Sequence, residues 1–333
     1  MEPISKNLDK ARLWRLGLAA AATGIGYVYH AMSQERSLKS KVIQDGLRVK
    51  KEADRFMPAN KKIQATEAYA NRPKNHEDLF FITRDDKAQI LRGKKGVLID
   101  LETNVLSLTT ASPWIIYFHG GSGIDTLQEK EWHFVQKLAK SFEGEAYVSP
   151  VLIRSFANHN IIDEAKRLSN LITDMANQMG RSVDQLYFVS SDTGAIPALL
   201  VADFLSQDKL KIERVFLLSP WLNGTFEDIT VNPKDVLYDA TRVNAIRTIW
   251  QQKNPALNYA KMPTEELPAI DFVNGTDDSF ACDGHWLYKR LRAHNQQSNY
   301  YQFDFMHHQF YLDAIPESQE VIEIIHQQII GGE

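Results

Sequence analysis

A chain of 333 residues with 44% apolar and 10% aromatic side chains has the length of one large α/β domain with additions and ample material for a core, which excludes global disorder. A net charge of -4, with acids and bases mixed along the chain, provides no basic face for nucleic acid. The single cysteine, Cys282, excludes an internal disulfide framework, no Cys/His ligand pattern occurs, and no metal or cofactor is implied.

Lys6, Lys10, Arg12 and Arg15 precede an apolar run from Leu16 to Tyr29. Basic flank followed by apolar run is the pattern of a membrane anchor or an export signal over residues 1–32, with membrane association through 13–32. The run falls short of the roughly 20 residues of a comfortable span. An Ala-rich helix packed on the domain fits it too, so membrane-associated and cytoplasmic placements are equally open. Residues 33–75 are polar and rich in helix formers, with Val42, Leu47, Val49 and Phe56 at loosely helical spacing, and are expected to form one or two helices outside the main sheet.

From residue 76 an α/β domain is expected to run to 333. Strand-like runs at Leu79–Thr83, Gly96–Leu101 and Val105–Leu108 form an antiparallel lead-in. Strands and helices then alternate: Trp114–Phe118, a helix near Gln128–Phe142, Ala146–Ile153, a helix near Ile161–Met179, Gln185–Val189, and an apolar helix from Ile196 to Leu205. Glu213–Leu218 follows, then an irregular insertion over about 221–262, Ala269–Val273, a helix near Cys282–His294, Tyr300–Phe305 and a last helix. Short buried strands alternating with helices predict an α/β fold with a mostly parallel, eight-stranded, doubly wound sheet.

Ser190-Ser191-Asp192-Thr193-Gly194 lies between the strand Gln185–Val189 and the helix that follows it, so it reads as a strand, a sharp turn and a helix. Such an elbow needs small residues two places before and after its apex, where strand and helix nearly touch. Only Asp192 as apex puts Ser190 and Gly194 at those places, so Asp192 is expected to be the exposed side chain. His119-Gly120-Gly121-Ser122, directly after the strand ending at Phe118, can turn backbone N–H groups toward a developing oxyanion. Gly275-Thr276-Asp277-Asp278 follows a later strand, and a carboxylate there can orient an imidazole; Asp277 is the choice over Asp278. Met306-His307-His308-Gln309 follows the last strand and offers a general base.

The order nucleophile, acid, histidine resembles the α/β-hydrolase superfamily, in particular its hormone-sensitive-lipase-like esterase branch. The resemblance runs from about Asp78 onward through His119-Gly120-Gly121, Leu218-Ser219-Pro220-Trp221-Leu222, Leu267-Pro268-Ala269, Gly275-Thr276-Asp277 and Met306-His307-His308-Gln309-Phe310. It implies His308 rather than His307 as base, and a cap built from 33–75 and the 221–262 insertion. The branch's Gly-Asp-Ser-Ala-Gly elbow reads Ser190-Ser191-Asp192-Thr193-Gly194 here, the third oxyanion glycine is Ser122, and its Asp-Tyr-Arg-Leu-Ala-Pro-Glu segment is replaced by Pro150-Val151-Leu152-Ile153-Arg154-Ser155.

An elbow carboxylate attacking an ester would form a high-energy anhydride, whereas attack on an sp3 carbon of a halide or epoxide gives a stable alkyl ester on Asp192. His308, held by Asp277, could then activate water, with Thr193 and the His119-Gly120-Gly121 loop stabilising the oxyanion. Haloalkane dehalogenases and epoxide hydrolases are similar in using an elbow aspartate. Trp221 or Trp250 would be the halide donor, and Tyr238 or Tyr259 the phenol donor to an epoxide. The substrate class is a small, largely apolar molecule. The competing class is a catalytically inactive protein of the same fold that binds a ligand or partner; a third reading has His308 as direct base beside an ion- or water-binding Asp192. A catalytic site predicts a closed apolar pocket lined by Asp192, His308 and the HGG loop, and a filled pocket predicts binding or scaffolding.

Overall fold

The computed structural model describes residues 24, 26–54, 57–70, 79–84, 87–94, 97–100, 113–143, 146–178, 186–208, 212–225, 230–294 and 297–331. Residues 26–33 are helical, and two helices follow, α1 (Leu38–Asp54) and α2 (Ala59–Ala70). Among the described residues no helix is long and apolar enough to cross a membrane; most of the Leu16–Tyr29 run lies outside them.

Nine strands form one sheet in the order β3-β2-β1-β5-β4-β6-β7-β8-β9. The first three, β1 (Leu79–Arg84), β2 (Lys87–Lys94) and β3 (Val97–Asp100), make an antiparallel meander that joins β5 through β1. The other six are parallel: β4 (Trp114–Phe118), β5 (Tyr147–Val151), β6 (Leu186–Ser191), β7 (Arg214–Leu218), β8 (Ala269–Gly275) and β9 (Ser298–Phe303). The strand absent from the sequence reading is β2; the described residues hold nine strands where a sheet of eight was expected. Its Lys-Ala-Gln-Ile-Leu-Arg-Gly-Lys sequence has too little alternation to stand out, and pairing on both sides carries it. The Val105–Leu108 run lies outside the described residues.

Both faces of the central parallel strands are covered, which is why strands such as β4 and β7 read as continuous apolar runs, whereas the edge strand β9 is more polar and only partly buried. In β4, Trp114, Ile116 and Phe118 join one core cluster while Ile115 and Tyr117 join the other. The helices α3 (Glu129–Ser141), α4 (Ile161–Gln178), α5 (Ala195–Gln207), α7 (Ala281–Ala293) and α8 (Pro316–Ile330) supply the flanking layers. The insertion after β7 is not wholly irregular, as the sequence suggested. It contains α6 (Ala240–Trp250), whose first turn is capped by the Asp239 side chain accepting from Arg242 N–H. Helix α2 packs on α6.

Candidate active site

The site is assembled at the carboxyl ends of the parallel strands. Asp192 leaves β6 with φ +51°, and the turn Asp192–Gly194 leads into α5. A side chain on Gly194 would place its Cβ 2.4 Å from the His119 carbonyl and 2.5 Å from that of Phe118, which is the close strand–helix approach the elbow reading required. Ser190 is buried, its hydroxyl donating to the Phe216 carbonyl. Four further residues in the left-handed region, Ser122, Ser219, Phe305 and Gln309, lie in the neighbouring loops. A backbone held there is strained and fixed by its surroundings.

Asp192, His308 and Asp278 form a buried row. His308 Nδ1 lies 3.0 Å from Asp278 Oδ1, and Nε2 lies 3.2 Å from Asp192 Oδ1, with all three side chains closed to solvent. The second contact is an ion pair without hydrogen-bond alignment, so Asp192 Oδ1 accepts no hydrogen bond among the described residues. Asp192 Oδ2 is held differently: the Ser122 N–H donates to it at 2.6 Å, and the Thr193 hydroxyl stands at 3.5 Å. Burial works against a charged imidazole, but the flanking carboxylates of Asp278 and Asp192 prevail and push His308 up to about 10.

The acid beside His308 is therefore Asp278, not Asp277. The turn from Gly275, pressed against the Met306 carbonyl, aims Asp278 inward, where it also accepts the Phe280 N–H. Asp277 turns away and accepts from the buried Gln44 amide of α1 at 2.9 Å. Arg36, preceding α1, donates to Gln44 and to the Phe305 carbonyl, so this segment ties the acid loop to the histidine loop. His307 points elsewhere, 3.1 Å from Asp313, and despite burial His307 and Lys130 hold Asp313 below the usual carboxylate range.

The glycine loop is shaped by groups the sequence reading missed. His119 does not face Asp192; its Nε2 accepts from Ile153 N–H and its Nδ1 meets the Gly120 carbonyl at 3.0 Å. The Gly120 N–H donates to the buried Glu131 at 2.7 Å, and the absence of a side chain lets Gly120 press on Asp192, where a Cβ would stand 2.7 Å from Asp192 Cβ. Burial pushes Glu131 up to about 7 against the N–H donors of Gly120 and Gln128. A glutamate in the first turn of an amphipathic helix gives no sign of this role.

Asp192 is not exposed, and neither of the cavities seen among the described residues is lined by Asp192 or His308. A cleft of about 680 Å³ lies above the site between α1, α2 and residues 236–242, and its floor includes Gly121, Ser122, Tyr238 and Gln309 but neither Asp192 nor His308. The Tyr238 and Ser122 hydroxyls are 2.7 Å apart, Trp250 Nε1 donates to the Ser122 carbonyl, and the Tyr238 ring stands edge-on to His308. These contacts draw the insertion onto the glycine loop and seal the row. Trp221 stacks on Phe280 and donates to the Asn223 carbonyl, and Tyr259 sits beside Phe156 and Ile161, so of the four aromatic candidates Tyr238 and Trp250 have their polar atoms on Ser122 of the glycine loop.

No family model matches the chain, and no curated protein matches it either. Solved structures do. A hormone-sensitive lipase from a metagenome library superposes with a TM-score of 0.65 at 16% identity, covering 87% of this chain and 97% of that one. The fold is that of the α/β-hydrolases. The hormone-sensitive-lipase homologue EstE7, also from a metagenome library, gives 0.65 at 15% over 87% and 97%, and a hyperthermophilic esterase from the archaeon Pyrobaculum calidifontis gives 0.62 at 16% over 86% and 96%.

Proposed function

We propose that this chain is a hydrolase that uses Asp192 as nucleophile on an sp3 carbon of a small, largely apolar epoxide or alkyl halide, with Asp278 and His308 activating water. The observation that carries the reading is the unequal treatment of the two Asp192 oxygens. Oδ2 is bound by a backbone N–H of the glycine loop, while Oδ1 accepts no hydrogen bond among the described residues and faces His308.

Attack by Oδ1 forms the C–O bond of an alkyl ester as the carbon–halide or ring carbon–oxygen bond breaks, and the negative charge departs with the halide or alkoxide. The alkoxide takes the His308 proton; in the halide case that proton passes to solvent. Loss of the Asp192 charge leaves His308 with one carboxylate neighbour, so its proton affinity falls just when a base is needed. Nε2 then takes a proton from water as the water attacks the ester carbonyl. The charge of that tetrahedral intermediate builds on Oδ2, where Ser122 N–H already points; its collapse breaks the Cγ–Oδ1 bond, the departing alkoxide takes the proton from Nε2, and the new carboxyl returns a proton to His308. Leu47, Ile124, Val236 and Leu237 give the cleft its apolar part.

A second reading, a non-catalytic protein that binds a ligand in the cleft, is favoured by one observation: Asp192 and His308 are closed off from it. Intact-mass measurement separates the two. A folded His308→Gln variant incubated with epoxides, haloalkanes and activated esters is expected to gain the mass of an alkyl group on Asp192, lost in His308→Gln/Asp192→Ala. Absence of any adduct, with no turnover by the unmodified protein, sinks the nucleophile reading and leaves the binding one.

A further inference from the structure

The outer face of the segment that precedes the sheet is unlike the rest of the surface. Of eleven large apolar side chains exposed among the described residues, eight lie between Val28 and Ile63, so the apolar exposure is concentrated in one segment rather than scattered. Tyr29, Met32 and Val49 are 74%, 70% and 71% exposed. On α1, Leu38, Val42 and Val49 stand at i, i+4 and i+11, within about 40° of one another around the helix. The opposite side of α1 is the one used by the protein, since Ser40 and Gln44 are buried there and Leu47 and Lys51 line the cleft. The stripe thus lies on the side where a globular helix ordinarily carries polar residues.

Charge is distributed in the same way. Residues 1–70 hold thirteen Lys and Arg against seven Asp and Glu, although the whole chain is at -4, so the mixture of signs conceals a basic segment on an acidic body. Immediately before the described helices come Lys6, Lys10, Arg12, Arg15 and the apolar run to Tyr29. The helix over 26–33 folds back on α1, with the Tyr27 hydroxyl donating to Asp45 and Lys41 lying over the Tyr27 ring. The run therefore leads directly onto the stripe.

We infer that the outer face of residues 28–49 rests on an anionic lipid surface, with Tyr29, Met32, Leu38, Val42 and Val49 entering the headgroup–acyl boundary and the exposed Lys39, Arg48 and Lys50 of α1 meeting the lipid charge, while Asp45 beside the stripe is paired with Lys41 and Arg48. An apolar face with a basic surround binds lipid in this way without a span. The occupant is lipid rather than a second copy of the chain, because two copies would bring two basic segments together.

The test places an environment-sensitive fluorophore on Val42→Cys or Val49→Cys of the full chain in a Cys282→Ser background, with Trp286→Cys on α7 as the exposed apolar reference. On adding phosphatidylcholine vesicles containing phosphatidylglycerol, probes at 42 and 49 are expected to shift to the blue and the probe at 286 to stay unchanged. Val42→Glu/Val49→Glu should weaken vesicle partitioning at least about tenfold. Failure to bind vesicles, binding with no shift at 42 and 49, or a dimer that Val42→Glu dissociates would each overturn the inference, the last by assigning the stripe to a second copy.

Discussion

The floor and the roof of the site are built on opposite principles. In the floor, Asp192, His308 and Asp278 are sealed and held by strained loops at strand ends. The roof of α1, α2 and residues 236–242 is half-open, with ion pairs such as Lys62–Asp239 reaching water. The comparison teaches that the groups able to do chemistry are separated from the space able to hold a ligand by a thin partition, chiefly Ser122 and Tyr238.

Breaking the floor should cost most. Asp278→Ala leaves His308 and Asp192 in a buried row without its third member and is expected to lose about 3–5 kcal/mol in urea unfolding. Asp277→Ala, which strands only the Gln44 amide, should lose no more than about 2 kcal/mol. Equal losses would remove the distinction between the two acids. The same row sets the pH dependence. His308 binds its proton more tightly folded than unfolded, so its contribution is complete below its ordinary value near 6.5 and disappears as pH rises through about 10. Thermal scans should show that decline over this window, and it should flatten in His308→Gln.

The partition comes next. Tyr238→Phe removes the partner of the buried Ser122 hydroxyl and should cost about 1–2 kcal/mol, with faster amide exchange at Ser122 if the contact is what holds the loop down. In the roof, Lys62→Ala removes a part-exposed ion pair and should change stability by about 0.5 kcal/mol or less. A loss there as large as in the floor would erase the contrast.

The elbow was legible because it is a steric problem with one solution: Gly194 must be small, and only Asp192 then sits at the apex. The central parallel strands were legible because burial on both faces leaves them mostly apolar. What escaped was decided by direction rather than by type. Two adjacent aspartates carry the same chemistry in sequence, and only the turn against Met306 points Asp278 inward. Likewise Glu131 and Gln44 resemble any surface residue of an amphipathic helix until the packing closes over them. The sealing of Asp192 was hidden for a further reason. It depends on Ser122 and Tyr238 meeting across 116 positions of chain.

The left-handed residues around the floor bear on how this protein could be made more robust. Holding an ordinary side chain in that region costs roughly 1–2 kcal/mol, and Asn or Asp bear it more easily than most. Asp192 is thus better suited to the elbow backbone than a serine would be, whereas Ser122, Phe305 and Gln309 carry the full penalty. Glycine at those three places would relieve strain, yet each one helps hold the glycine loop or the histidine loop in place. The substitutions that most readily raise melting temperature are therefore those that loosen the site, and a selection for thermostability alone would be drawn toward them.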